Sequence, residues 1–166
     1  MVLFLLYLRA DKLENVASVS LPPGHTYVMD VKNSAGEDEK QGVRVTAAEE
    51  HDLPGSRGVA NFVCKWVRDS KHAASIVVES SVKGVTRPGL TGPDDEGAWV
   101  PVCGFECRGI EPTKLHLGDG FTVTTRGGTV FSDVDLSDGD WVEFCEKGND
   151  SVGVYGVEAR FEVRRG

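Results

Sequence analysis

Cysteines stand at positions 64, 103, 107 and 145, and these four are the residues best suited to chemistry, either as thiolate metal ligands or as a redox pair. Their spacing argues against both. Thiolate zinc sites are built on Cys-x2-Cys knuckles, and no two cysteines in this chain stand at that separation. Cys103 and Cys107 have three residues between them, which in a strand puts both on one face. The same alternation puts Trp99, Pro101 and Phe105 on that face, a ladder typical of a core strand. Cys64 shares its face with Phe62 and Trp66, and Cys145 with Trp141. The expectation is four free, mostly buried thiols. The rival is a thiol-based metal-handling or redox protein using Cys103 and Cys107, with Cys145 as a third thiol.

Other constellations are weaker. His25, His51, His72 and His116 are scattered, with no His-x3-His pair to suggest a zinc ligand set. Asp133-Val134-Asp135-Leu136-Ser137-Asp138-Gly139-Asp140 approaches a calcium loop, but the register fails. Its glycine is seventh rather than sixth, and position twelve is Phe144 instead of a bidentate Glu. A polar turn between strands accounts for it better. Gly55-Ser56-Arg57-Gly58 is not a nucleophile elbow, and Gly127-Gly128 is an isolated pair. No nucleophile, base and orienting group can be named together, so the chain reads as non-enzymatic, without cofactor and without metal.

The elements that would position these residues are strands. Period-two alternation dominates, carried by β-branched and aromatic residues. From Tyr155 to Val163 every second residue is apolar, with Glu158, Arg160, Glu162 and Arg164 between them. Tyr27, Met29 and Val31 alternate in the same way, as do Val43 and Val45. Further strands are expected over 60–67, 75–79, 98–107, 121–125 and 141–146. No window carries a helical stripe at i, i+3, i+4, i+7. The 20 glycines and 7 prolines punctuate the chain at short intervals, as in a sandwich. The fold class is therefore all-β and sandwich-like with little helix, as one domain over 1–166 or two packed β subdomains. The longest irregular stretch, 83–97, reads as a loop or subdomain linker.

Composition narrows the partners. The net charge is −8, and no Lys/Arg cluster offers a phosphate-binding surface, which argues against nucleic acid. The acidic runs 36–40 and 93–96 read as solvated loops. The apolar run Val2–Leu8 lacks a basic leader and a cleavage site, and it is far short of the ~20 residues of a membrane span. It reads as a strand buried on both faces, in a cytoplasmic, soluble protein that keeps its thiols reduced.

One stretch carries a resemblance. Phe105-Glu106-Cys107-Arg108-Gly109-Ile110-Glu111-Pro112 is similar to the Phe-Glu-Cys-Arg-Gly-Leu-Glu-Pro block of the eukaryotic CXXC-motif-containing zinc-binding proteins, whose role is poorly defined. The similarity continues through Phe131–Leu136, Asp140-Trp141, Glu146-Lys147 and Ser151–Tyr155. It also covers Leu13–Val16 and Gly55–Val63, nearly the whole chain. It implies an all-β, sandwich-like protein that is soluble, intracellular and of a family not known as enzymes. In that family two Cys-x2-Cys pairs form a four-thiolate zinc site. Read without gaps, those positions fall here on Lys32, Ala35, Trp66 and Asp69, so the chain resembles a divergent member that has lost both pairs. Gly109 is expected to break the strand and Glu111-Pro112 to turn the chain; the motif residues Glu106, Arg108, Glu111 and Asp133 are the candidate cluster, with Arg108 expected to bridge Glu111 or Asp133, or else to grip an anionic ligand. The functional expectation is a binding or adaptor protein whose partner is another protein.

Overall fold

A computed structural model describes residues 1–67 and 72–164. Among these the chain forms strands and no helix. In order they are β1 (Val2–Arg9), β2 (Lys12–Glu14), β3 (Val16–Ser20), β4 (Thr26–Asn33), β5 (Glu39–Thr46) and β6 (His51–Asp52). Next come β7 (Val59–Ala60), β8 (Phe62–Cys64), β9 (Ala74–Glu79), β10 (Gly89–Thr91), β11 (Val100–Arg108) and β12 (Ile110–His116). The last are β13 (Phe121–Thr125), β14 (Val130–Val134), β15 (Trp141–Cys145), β16 (Asp150–Tyr155) and β17 (Glu158–Arg164). All their pairings are antiparallel. The sheets run β17-β1-β11-β9-β8, β10-β3-β13-β14, β12-β4-β5, β15-β16-β2 and the short pair β6-β7.

The apolar run near the N-terminus becomes β1, hydrogen-bonded to β11 on one side and β17 on the other. Leu5 and Leu6 point to opposite faces and both are buried, so each face of this strand is covered. In β4 the alternation buries Tyr27, Met29 and Val31 as expected. Phe4, Leu6 and Leu8 of β1, Met29 of β4, Phe121 and Val123 of β13 and Val152 and Val154 of β16 join one apolar cluster fed by all four larger sheets. No helix among the described residues is long and apolar enough to cross a membrane.

Four details differ from the sequence reading. Cys103 and Phe105 face the core opposite Leu6 and Phe4, but the register slips between Leu6 and Tyr7, leaving Val102 as an extra residue. That bulge reverses the alternation before it. Trp99 and Pro101 therefore leave the Cys103 face: Pro101 pairs with Tyr7, and Trp99 stacks 4.2 Å beneath the Arg160 guanidinium. The C-terminal run is not one strand, because Gly156 takes φ +63° and separates β16 from β17, and a Cβ there would collide with Asp11. The chain does turn at Gly109, with φ +70°, but Glu111 and Pro112 lie inside β12 rather than in the turn. Pro112 is tolerated there because the register breaks immediately after it. Finally, the stretch 83–97 carries β10, which pairs with β3. It is pinned by buried Asp95, which accepts the Thr91 N–H at 2.7 Å and hydroxyl at 2.8 Å and pairs with Arg87. Burial pushes that carboxyl upward, yet the Thr91 and Arg87 donors outweigh it and hold it below the ordinary carboxylate range.

Candidate functional site

The corner at the end of β11 gathers the most motif residues. Arg108 is the last residue of β11, exposed, across from Ser75 of β9. Gly109 then turns the chain into β12, and its carbonyl accepts the indole N–H of Trp66 at 2.9 Å. Trp66 is only 6% exposed, and Lys40 Nζ lies 5.9 Å from its ring. A hollow of about 390 Å³ opens here, lined by Asn33, Ser34, Trp66, Ser75, Arg108 and Gly109 among others. A guanidinium at such a mouth can hold a planar carboxylate through two parallel N–H bonds.

The expected cluster is only partly assembled. Glu106 and Arg108 share a face of β11, two residues apart, turned away from the buried Cys107. Glu111 stands across the β12–β4 ladder from Lys32 and pairs with it at 3.4 Å. Asp133 is exposed on β14, in a different sheet, with φ +52°. Arg108 bridges neither carboxylate: among the described residues its guanidinium has no ion pair and no hydrogen bond. Lys32 takes Glu111 because it is the direct cross-strand neighbour, which leaves Arg108 facing solvent and the hollow.

At the four positions where the resemblance puts zinc thiolates, Lys32 is committed to Glu111 and Ala35 is exposed in the turn after β4, its N–H held by Asn33 Oδ1. Trp66 fills the corner as described. Asp69 lies outside the described residues. Asn61 carried no assigned role, yet its side chain donates to Glu49 O at 2.9 Å and accepts the Val78 N–H at 2.8 Å, clamping β8 beside β9. Its place inside the Gly55–Val63 motif was the only signal.

The thiols are built into the fold. Burial pushes Cys103 up to about 12, a shift the Tyr27 hydroxyl only partly offsets. Burial likewise pushes Cys107 up to about 12, with the charges of Glu111 and Glu106 adding to it. Cys64 is raised by burial against the opposing charge of Lys40. Cys145 differs: although buried, its thiol is held below the ordinary range, first by the Thr129 hydroxyl and then by the Gly148 N–H. The histidines remain scattered. His116 Nε2 meets Asp30 Oδ1 at 2.8 Å, and His25 is wedged between the rings of Tyr27 and Phe121. In the acidic turn, Asp135 accepts both the N–H and the hydroxyl of Ser137, and Asp140 accepts the Gly156 N–H. These carboxylates cap backbone, as a polar turn requires.

Comparison with known proteins matches residues 5–162 to the family described as CXXC motif containing zinc binding protein, eukaryotic. A UPF0587 protein of Nematostella vectensis is 31% identical over 158 residues, covering 94% of this chain and 95% of that one. The CXXC motif containing zinc binding protein of Bos taurus is 30% identical over 153 residues, covering 90% and 91%. Among solved structures, a hypothetical protein from Plasmodium falciparum superposes with a TM-score of 0.86 at 26% identity, over 99% of this chain and 100% of that one.

Proposed function

The chain belongs to the eukaryotic family of CXXC-motif-containing zinc-binding proteins, and from that premise we propose that it is a non-enzymatic binding or adaptor protein that has given up the family's zinc. The observation that carries this reading is the Trp66 corner. An indole packed among apolar groups and bonded to Gly109 O ties the loop after β8 to the turn after β11. A four-thiolate metal would tie such loops by coordination; here a hydrogen bond and apolar contact do so. The residues at the four positions do not fit zinc. Lys brings a positive charge, Ala and Trp bring no ligand, and one Asp is too few. With that corner closed by Trp66, Arg108 has no partner among the described residues and stands at the mouth of the hollow, suited to a carboxylate presented by a protein partner. The thiol-based alternative finds no support in Cys103 and Cys107, both buried and both raised by burial. Four free thiols suit the reducing cytoplasm.

Two measurements test this. Tag-free protein analysed for metals should hold well under one zinc per chain, and chelator should leave its melting temperature unchanged. A full equivalent of zinc, removable with loss of structure, would overturn the zinc-free reading. Arg108→Ala should melt like the parent yet lose a protein that the parent retains from native lysate. Identical captures by both would remove Arg108 from the binding surface.

A further inference from the structure

A long acidic stretch of the chain surrounds the hairpin β15–β16. Between Asp133 and Asp150 the chain carries seven carboxylates and a single basic residue, Lys147. Among the described residues Glu143, Glu146 and Asp150 have no cationic partner. Running through this acidic surface is β15, the edge strand of its sheet, hydrogen-bonded among the described residues only to β16.

That edge is open and apolar. Val142 and Phe144 are 57% and 52% exposed, and among the described residues Phe144 is the one exposed Phe, Tyr or Trp. They stand opposite Gly153 and Ser151, which offer no large side chain to cover them. The Phe144 N–H points away from β16 and donates to its neighbour's Glu143 carboxylate at 3.3 Å instead of to a strand. The pairing with β16 is regular, with no bulge, and the strand contains no Lys or Pro. Of the usual devices that stop an edge from recruiting another strand, only the charge of Glu143 is present, and a basic partner would be attracted by it.

The charge decides what can occupy it. A second copy of this chain, paired antiparallel about the middle of β15, would set Glu143 against Glu143 and one acidic hairpin against another. Like charges directly opposite are destabilising. We propose that β15 is a docking edge for an extended, Lys- or Arg-bearing segment of a partner protein, added as an extra strand with apolar residues alternating with basic ones. Main-chain bonds to Val142 and Phe144 supply the pairing, their side chains the apolar contact, and the surrounding carboxylates the charge match. This surface lies on a different sheet from Arg108, so the two readings fail independently.

The test titrates the full chain with the synthetic peptide acetyl-Lys-Val-Lys-Val-Lys-Val-Lys-amide, followed by calorimetry and by ¹H–¹⁵N amide shifts. Two control peptides replace every Val with Ser or every Lys with Glu. The first peptide should bind with affinity falling as salt rises, with the largest shifts at Val142 and Phe144. The Ser peptide should bind at least tenfold more weakly and the Glu peptide not at all. Phe144→Pro, which blocks the open edge without removing a ladder bond, and Glu143→Lys should each weaken binding at least tenfold. Val163→Lys on the edge strand β17 should not. Equal binding of the Val and Ser peptides, shifts centred elsewhere, indifference to Glu143→Lys, or no binding would overturn the proposal. So would a homodimer in sedimentation that Glu143→Lys alters, since the edge would then belong to a second copy.

Discussion

Trp66 is one residue, and the corner depends on it in two separable ways. Trp66→Ala removes a buried aromatic ring and the donor to Gly109 O, and should cost about 3–5 kcal/mol in denaturant unfolding. Trp66→Phe keeps most of the ring and loses only the hydrogen bond, for roughly 1 kcal/mol. Equal losses would mean the packing contributes nothing, and the account of the corner fails. Arg108 should behave in the opposite way. With no partner among the described residues, its truncation to Ala should change stability by no more than about 0.5 kcal/mol, the usual range for surface substitutions. A loss of several kcal/mol would reveal an ion pair after all. Cys103 and Cys107 should be labelled slowly by a thiol reagent at neutral pH in the folded protein and rapidly once it is unfolded. Burial of these two thiols was legible from their strand spacing alone. The isolation of Arg108 was not, because which carboxylate meets which cation depends on the β12–β4 register, and no sequence motif states a register.

Where the residues alternate or form one unbroken apolar run, the elements could be read directly: β1, β4, β9, β13 and β15 all emerge close to their expected bounds. Where a bulge or a short strand breaks the period, they could not. In β3 the buried residues are Val16 and Val19, three apart, because the register slips against β13 between Thr124 and Thr125. β10 has a single apolar side chain, and β12 contains a proline, so both read as loop. One pH effect belongs to this scale, at the junction of β4 and β13. His25 sits between Tyr27 and Phe121, and burial holds its imidazole below the ordinary value, although the Gly120 carbonyl and Asp119 oppose this. The unfolded chain takes up this proton as pH falls below about 6.5, while the folded chain resists it. Stability should therefore be full above that value and decline as pH falls from it towards the lower folded pKa. His25→Phe, which keeps a ring in the slot, should flatten the melting temperature over that window. An unchanged slope in the variant would mean that another group controls the decline.

Across the whole molecule, the question the sequence left open is whether 166 residues fold as one unit or as two packed subdomains. The division into sheets suggests two: β1, β11 and β17 with their neighbours form one layer, and β3, β13 and β14 another. The buried side chains do not respect that division. Leu6 and Phe105 of the first belong to the same apolar cluster as Val19, Leu90 and Phe121 of the second and Val152 of the sheet β15-β16-β2. The stretch expected to be a loop or subdomain linker is stitched to β3 by β10 and held by Asp95 and Arg87. A chain whose pieces share one core cannot unfold one piece without exposing the apolar surface of the next, and the resulting coupling makes small domains two-state. We therefore propose one cooperative domain. Calorimetry should show a single transition with calorimetric and van't Hoff enthalpies equal. Leu6→Ala in β1, which empties a fully buried site and costs about 2–5 kcal/mol, should lower the temperature of that one transition. Val152→Ala, at the far end of the cluster in β16, should lower the same transition without splitting it. Two transitions in the parent, or a Leu6→Ala scan in which one part melts early while the other keeps its temperature, would show two subdomains that fold separately and only touch.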